Sequence, residues 1–320
     1  MLNTVYSVMN VVNLPTTRNL PKYRITYNSI ICFIMDENAE ILEKDKVPTP
    51  DYHTKTKEDY YAVLDSVVEK YRNRIEGIAI SMPGMLDNRN GYCVTAGYLA
   101  YLAGSTVGTE LSQRYGIPVS VENDGKCAAL AEFWRGSLKG CTNGAVVVIG
   151  TGVAGGIILN GKLFRGNHFT AGEYSYVCTE AKEPAEMDSY WGMISGAEGL
   201  AKIVAKHTGE DWKIYDGLKI FGLANEGDEK VLAGLREFTD RLAVQIYNLN
   251  IYLDLDIIAI GGGISRQPLL HEYLQKSLDE VMKNIPLRKI TPYVPEPKLT
   301  KCQFYNDANL IGALYHFMNK

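Results

Sequence analysis

The residue best suited to acid–base chemistry is Asp124, which follows a short predicted strand over Val119–Glu122. In α/β proteins the carboxyl ends of strands present side chains to ligands. A carboxylate there can accept a proton, and transfer of a phosphoryl group to an alcohol needs a base that orients the hydroxyl. The alternative is that Asp124 caps the helix predicted to begin near Lys126, because Asp is a preferred N-cap residue. The sequence leaves both roles open.

Two glycine-rich turns could bind phosphate groups. Each follows an all-apolar predicted strand, and they are Gly150-Thr151-Gly152 and Gly261-Gly262-Gly263. Because glycine has no Cβ atom, the backbone N–H groups of a glycine-rich turn can approach a phosphate closely. Neither turn opens a strand-turn-helix unit as GxGxxG with an acidic residue at the end of the next strand, which the dinucleotide fingerprint requires. The chain also has no GxxxxGK[ST] loop. A tight turn without a ligand is the alternative for each.

A further acidic residue, Glu173, lies among small residues in Ala171-Gly172-Glu173. Its carboxylate could accept hydrogen bonds from sugar hydroxyl groups. The alternative is a solvated carboxylate in a loop, which is the commoner environment of glutamate.

Strand-like and helix-like segments alternate along most of the chain, which predicts α/β architecture. The first two strands read as a hairpin, and a β-meander with a tight Asn160-Gly161 turn follows the strand that begins at Ala145. An apolar strand that ends in a glycine-rich turn occurs in each half, which makes two similar halves an expectation. Predicted strands are Ser29–Met35, Glu40–Glu43, Ile75–Ser81, Val119–Glu122, Ala145–Ile149 and Ile257–Ile260, and predicted helices are Asp59–Arg74, Lys126–Arg135, Glu229–Leu253 and Gln267–Met282.

Composition excludes several classes of function. The 320 residues carry 33 Lys and Arg against 37 Asp and Glu, a net charge of −4 that favours neither nucleic acid nor anionic membrane as a partner. No apolar run approaches the roughly 18–20 residues that span a bilayer, and no signal-peptide pattern opens the chain, so a cytoplasmic location is expected. The six cysteines are scattered singly and read as free thiols.

Four motifs, in this order, resemble those of the ROK family of sugar kinases and repressors. Within the family the sequence is most similar to bacterial β-glucoside kinases, through residues 160–166, 172–176, 247–249 and 310–317. The four motifs are Val121-Glu122-Asn123-Asp124 with the helix after it, Ile149-Gly150-Thr151-Gly152-Val153, Ala171-Gly172-Glu173 and Gly261-Gly262-Gly263-Ile264.

The resemblance implies an α/β fold of the actin-like ATPase (ribonuclease H-like) type, with two domains around a cleft. It implies a smaller domain over residues 1–120, to which a C-terminal helix over 306–320 returns, and a larger domain over 121–305. The activity implied is transfer of the γ-phosphoryl group of ATP, with Mg²⁺, to a hydroxyl of a hexose or β-glucoside. The implied roles are general base for Asp124, sugar contacts for Asn123 and Glu173, phosphate contacts for Gly150, Thr151 and Gly152, and contacts to the nucleoside end for Gly261, Gly262 and Gly263.

One departure from the family pattern concerns the first segment. Family kinases begin with an apolar strand that ends in DxGGT, which we expect directly before Ile34. Residues 1–32 contain neither Asp nor Gly, so they lack this phosphate-binding turn. Two explanations are open: a catalytically impaired relative that binds sugar without phosphorylating it, or a first segment that is read out of frame.

Two other departures concern zinc and sugar binding. Many family members have a zinc-binding His and Cys cluster, where this chain has Tyr176 and residues 180–196 without Cys, so no zinc is expected. Tyr98 replaces a common Asn and could stack on a sugar ring. The repressor branch has an N-terminal helix-turn-helix segment, which we do not find, so DNA binding is not expected. Relatives commonly form dimers, and the sequence leaves a homodimer open.

Overall fold

The computed structural model describes residues 4–12, 29–51, 53–180, 186–290 and 293–320. The chain forms two compact units, each with its own sheet. The first unit comprises Met1–Trp134, Arg165–Thr170 and Asp307–Lys320, and the second comprises Arg135–Phe164 and Ala171–Asn306. The domain limits implied by the resemblance stay a prediction.

Strands and helices alternate in the described residues, as the sequence predicts. The strands are β1 (Val5–Val12), β2 (Ser29–Asp36), β3 (Ile41–Pro48), β4 (Gly77–Met82), β5 (Leu86–Asp87), β6 (Tyr92–Cys93), β7 (Val119–Asn123), β8 (Gly144–Ile149), β9 (Val153–Leu159), β10 (Lys162–Phe164), β11 (Ile257–Gly261) and β12 (Leu299–Lys301). The helices are α1 (Lys57–Tyr71), α2 (Val107–Tyr115), α3 (Asp124–Arg135), α4 (Trp191–Ile194), α5 (Ala197–Thr208), α6 (Gly217–Asn225), α7 (Glu229–Leu253), α8 (Pro268–Asn284) and α9 (Ala308–Met318). No described helix is both long and apolar enough to cross a membrane.

The sheet of the first unit has the strand order β3-β2-β1-β4-β7. Strand β2 pairs antiparallel with β1 and β3, which confirms the predicted hairpin of β2 and β3. Strands β1, β4 and β7 are parallel, and Met82 at the end of β4 pairs with Asn123 at the end of β7. The carboxyl ends of these two strands therefore lie side by side at one edge of the sheet.

From the sequence, the first strand of the sheet is expected directly before Ile34, and this position is wrong. The strand directly before Ile34 is β2, the second in the sheet, and β1 at Val5–Val12 precedes it. Met9 in β1 is almost fully buried in the core of the first unit, because β1 lies between β2 and β4. The connection from β1 to β2, residues 13–28, lies outside the described residues.

Helix α1 shows how local sequence starts an element and packing holds it. The Thr56 side chain accepts a hydrogen bond from Asp59 N–H, and the Asp59 carboxylate accepts one from Thr56 N–H, a reciprocal cap. Apolar residues at three- and four-residue spacing then form one buried face, as expected for an amphipathic helix. These residues are Tyr60, Leu64, Val67 and Tyr71.

The C-terminal helix α9 belongs to the first unit, where it packs against β4 and α3. A Cβ added at Gly312 would lie 1.7 Å from the carbonyl oxygen of Cys127 in α3. A Cβ at Gly77 in β4 would lie 2.2 Å from the ring of Phe317. Glycine at these two positions therefore permits the close approach of α9.

The sheet of the second unit has the order β10-β9-β8-β11-β12. Strands β8, β9 and β10 form the predicted meander, and β11 pairs in parallel with β8 and β12. The long helix α7 has the predicted limits, Glu229–Leu253, and Asp228 caps it by accepting hydrogen bonds from two backbone N–H groups. Its buried face packs in the core of this unit, with Leu235, Phe238 and Leu242 fully enclosed.

Candidate functional site

Asp124 is the first residue of α3 and follows β7 directly. The N-terminus of α3 is capped by Asn123, whose Oδ1 accepts a hydrogen bond from Lys126 N–H at 3.0 Å. Asp124 Oδ1 accepts one from Gly125 N–H at 2.8 Å instead. The capping role that the sequence left open for Asp124 is therefore performed by Asn123. The Asn123 side chain accepts a hydrogen bond from an N–H of the first helical turn, and such N–H groups have no acceptor within the helix.

The carboxyl of Asp124 holds a proton more strongly in the protein than it would in water. Burial raises the pKa of its carboxyl above the ordinary value, although the Gly125 N–H and the charge of Lys126 act in the opposite direction. A carboxylate with a raised pKa takes up a proton more readily, because burial penalises its charged form. This is the property that a general base for an alcohol needs.

Asn123 joins the ends of two neighbouring strands. Its Nδ2 donates a hydrogen bond to the carbonyl oxygen of Gly84 at 2.9 Å, in the turn after β4. Gly84 has a φ of +109°, and a Cβ there would lie 2.2 Å from the carbonyl oxygen of Thr95, so only glycine fits this turn. An amide has two N–H donors and two lone pairs, so these bonds leave capacity for a ligand. The sugar contact of Asn123 stays a prediction.

A buried ionic cluster is centred on Glu122, the residue before Asn123, and was not predicted from the sequence. The Glu122 carboxylate bonds to Arg165, with Oε2 lying 2.8 Å from Nε and 2.6 Å from Nη2. His316 in α9 lies close to both, its Nδ1 being 3.5 Å from Arg165 Nη2. A glutamate within a strand of an α/β sheet is a signal of such a cluster, since a buried charge needs a partner. The sequence does not identify that partner.

The segment Arg165–Thr170 is held against α3 by a second contact. The buried Lys126 Nζ donates a hydrogen bond to the carbonyl oxygen of Phe169 at 3.1 Å. Phe169 has a φ of +62°, an unusual conformation for an aromatic residue. Arg89 also lies over the Phe169 ring, 5.8 Å from its centre. Together with the Arg165 pair, these contacts anchor both ends of the segment in the first unit.

Tyr98 also lies in the first unit, in a turn between β6 and the short helix that follows it. It is half-buried and follows Gly97, whose φ is +54°. Stacking of this ring on a sugar stays a prediction.

In the second unit, the turn Gly150-Thr151-Gly152 connects β8 to β9. It closes through a hydrogen bond from Gly150 N–H to the carbonyl oxygen of Gly152 at 2.9 Å. The carbonyl oxygen of Gly150 accepts a bond from Ala197 N–H, in the first turn of α5, at 2.8 Å. The turn is therefore packed against the start of a helix.

The structure brings the two glycine turns together. Strands β8 and β11 are parallel neighbours, and Gly261 pairs with Val148. A Cβ at Gly262 would lie 2.0 Å from the carbonyl oxygen of Ile149, the residue before the first turn. Both turns thus lie at the same edge of the second sheet, as expected for the carboxyl ends of parallel strands.

Packing within the protein explains only some of these glycines. Gly262 has a φ of +95° and no room for a Cβ, so its glycine is structural. A Cβ added at Gly150 would have a single neighbouring atom, at 4.0 Å, and one added at Gly263 would have none within 4 Å. Neither of these two has a positive φ that requires glycine. The open space beside their backbones fits the close approach of a phosphate-bearing ligand.

Glu173 precedes a short helical turn at Tyr174–Tyr176 in the second unit. Gly172 has a φ of +81°, and a Cβ there would lie 3.1 Å from Gly156 Cα in β9. The loop therefore packs tightly on the sheet, and Glu173 is half-buried. Its contact with sugar stays a prediction.

The described residues contain no group of three or more His, Cys, Asp or Glu side chains placed to hold a metal ion. Tyr176, at the position of the family's zinc-binding His, is exposed. Residues 181–185, within the segment that replaces the Cys cluster, lie outside the described ranges. The expectation of no zinc stays a prediction.

The predicted site residues are divided between the two units. The first unit carries Tyr98, Asn123 and Asp124, and the last two are consecutive residues at the junction of β7 and α3. The second unit carries Glu173 and both glycine turns, which share a sheet edge.

Comparison with known proteins gives consistent results. The ROK family model matches residues 25–320, so β1 precedes the match. The chain is 33% identical over 243 residues to the beta-glucoside kinase of Klebsiella pneumoniae, covering 76% of this chain and 78% of that protein.

Solved structures show the same relationship. A ROK family protein from Streptococcus pneumoniae TIGR4 in complex with sucrose is 27% identical, with a TM-score of 0.81 over 99% of this chain and 98% of that chain. A ROK family glucokinase from Streptomyces griseus in complex with glucose and AMPPNP is 20% identical, with a TM-score of 0.77 over 99% of this chain and 100% of that chain. The sequence-based resemblance and the predicted fold class are confirmed, and the chain belongs to the ROK family with the actin-like ATPase fold.

Proposed function

We propose that this protein is an ATP-dependent sugar kinase that transfers the γ-phosphoryl group to a hydroxyl of a hexose or β-glucoside. Its membership of a family whose relatives are sugar kinases supports this proposal. The observation that carries it is the place of Asp124, at the end of β7 with a pKa raised by burial. Such a carboxylate suits removal of a proton from an alcohol.

On the sugar side, Asp124 accepts the proton of the attacking hydroxyl group. As that oxygen forms a bond to the γ-phosphorus, the bond between this phosphorus and the bridging oxygen breaks, and ADP leaves with the electron pair. Asn123, Glu173 and Tyr98 bind and orient the sugar. Asn123 is well placed to do so because its amide is fixed by Gly84 and Lys126.

On the nucleotide side, backbone N–H groups of the Gly150-Thr151-Gly152 turn bind phosphate, and the Gly261-Gly262-Gly263 turn lies against the nucleoside end. The open space at Gly150 and Gly263 supports this assignment. When bound, Mg²⁺ neutralises negative charge on the phosphates, and it usually binds through them with only one or two carboxylates.

The test is an ADP-release assay with Mg²⁺-ATP and cellobiose, gentiobiose, glucose or N-acetylmannosamine. We expect turnover with at least one sugar and a loss of about 10²- to 10⁴-fold in Asp124→Asn, the usual contribution of a general base. Asp65→Asn is the matched control, because Asp65 lies in an exposed ion pair with Arg114. A folded wild-type protein that yields no sugar phosphate, or equal rates in the two variants, contradicts the proposal.

A sugar-binding protein that does not phosphorylate is the second candidate. The absence of Asp and Gly from residues 1–32 favours it, because one family phosphate-binding turn is missing. Calorimetry separates the two: this candidate predicts sugar binding without ATP binding, and the kinase predicts that both bind.

A further inference from the structure

We propose that Arg165 and His316 are positioning residues that hold Glu122, and through it Asn123 and Asp124 at the junction of β7 and α3, in the arrangement required for proton transfer. This inference rests on the proposed function. It assigns a role to a cluster built from three distant parts of the chain, namely β7, the segment Arg165–Thr170 and α9.

The two oxygens of Glu122 bond in different directions. Its side chain is 1% exposed, so its charge requires compensation inside the protein. Oε2 accepts from Arg165 Nε at 2.8 Å, and Oε1 accepts from the backbone N–H of Asn123 at 2.9 Å. The carboxylate therefore links the guanidinium of Arg165 to the backbone of the residue that precedes Asp124.

His316 completes the cluster without adding charge. Burial, with help from Arg165 and Lys320 and against the attraction of Glu122, lowers the pKa of its imidazole to about 4. The neutral ring can accept a hydrogen bond at Nδ1, which lies 3.5 Å from Arg165 Nη2 and 3.9 Å from Glu122 Oε2. In that tautomer Nε2 carries the proton, and it has no hydrogen-bond partner among the described residues. The ring thus restricts the orientation of the guanidinium.

The effect reaches Asp124 through Asn123. Glu122 holds the backbone N–H of Asn123, while Gly84 and Lys126 hold its side chain. A shift of Glu122 therefore displaces the residue joined directly to Asp124. Misplacement of a reacting group by about 1 Å can lower a rate about 10²-fold.

The test compares Arg165→Met with Arg114→Met. Both arginines make paired hydrogen bonds to a carboxylate in the first unit, and the pair of Arg114 with Asp65 is not part of the cluster. We expect Arg165→Met to lower kcat about 10²-fold with a smaller change in the KM for sugar. Arg165→Lys should recover part of kcat, because it restores the charge but not both hydrogen bonds.

His316 is tested in the same way. His316→Leu should lower kcat, and His316→Gln, which keeps a hydrogen-bond acceptor near Arg165, should recover part of it. Arg165→Met kinetics within twofold of those of Arg114→Met would overturn the inference, because the cluster would then only stabilise the fold.

Hydrogen exchange separates this inference from the proposed function. In Arg165→Met, but not in Arg114→Met, the amides of residues 123–126 should exchange at least about tenfold faster, which corresponds to about 1.4 kcal/mol of lost local stability. If the wild-type protein phosphorylates no sugar, the proposed function fails and this measurement alone decides the inference. Unchanged exchange at these amides would then overturn it.

Discussion

The two units share one strand arrangement but carry different groups at the ends of its strands. In each, three antiparallel strands are followed by two strands parallel to the first, in the orders β3-β2-β1-β4-β7 and β10-β9-β8-β11-β12. In the first unit a carboxylate, Asp124, follows β7, the fifth strand of the sheet along the chain. The second places glycine turns after its first and fourth strands, β8 and β11.

The connection between the first two strands of the sheet also differs between the units. In the second unit it is the turn at residues 150–152, with two glycines. In the first unit the same connection consists of residues 13–28, without any glycine. The same strand arrangement therefore accommodates both a glycine-rich turn and a connection without glycine. The sequence of one turn decides whether backbone N–H groups can approach a ligand.

The close approach of α9 should make the stability of the first unit sensitive to a single added methyl group. Gly312→Ala places a Cβ 1.7 Å from a backbone oxygen of α3, so we expect a loss of more than about 3 kcal/mol in the free energy of unfolding. Gly222→Ala in α6 meets no atom within 4 Å and should stabilise by about 0.4–1 kcal/mol. Urea unfolding measures both, and equal effects would show that α9 is not closely docked.

The buried histidine should make the stability of the first unit sensitive to acid. The pKa of His316 is lowered from 6.5 to about 4, so between these values the unfolded chain binds a proton that the folded protein does not. The free energy of unfolding should therefore fall as the pH drops from 6.5 to 4, by about 2–3 kcal/mol for this group.

His316→Gln removes that contribution. Its unfolding free energy should fall less than that of the wild type between pH 6.5 and pH 4, as measured by urea unfolding at these two pH values. The raised pKa of Asp124 acts in the opposite direction, but it is present in both proteins. Parallel pH profiles would contradict a neutral, buried His316.

A smaller effect, on ATP affinity, is expected for two glycines of the second unit, Gly150 and Gly263. Gly150→Ala and Gly263→Ala should fold normally, because a Cβ fits at both positions. If these backbones approach a nucleotide, ATP affinity should fall about tenfold, or about 1.4 kcal/mol, while sugar affinity is retained. Calorimetry with each ligand measures this, with Gly222→Ala as the control. Unchanged ATP affinity would remove the nucleotide from these turns.

Local patterns in the sequence predicted several elements of the second unit, among them β8, α7, β11 and α8, but not α5, α6 or β12. The limits of α7 were predicted correctly, because its apolar periodicity runs over many turns and Asp228 marks its start. The meander of β8, β9 and β10 was predicted from an apolar strand, a glycine turn and Asn160-Gly161. In each case the signal lies within the element itself.

The first unit was harder to predict, because its key contacts join distant residues. Strand β1 gains its central place only by pairing with β2 on one side and β4 on the other. Asp124 was found from its position after a strand, but Arg165 and His316 became visible only once the fold placed them beside Glu122. Sequence spacing does not reveal partners of this kind, and the ligand contacts of the site residues remain predictions.

The return of α9 to the first unit also has a consequence for synthesis on the ribosome. The second unit ends at residue 306, and α9 is translated only after that. Because domains generally fold as their residues emerge, the first unit cannot complete its core until α9 has emerged, although most of its residues are translated first. Until α9 docks, the surface of α3 around Cys127 that receives Gly312 stays uncovered. Ribosome-bound chains that end before α9 should therefore be more sensitive to protease in the first unit than the 320-residue chain is.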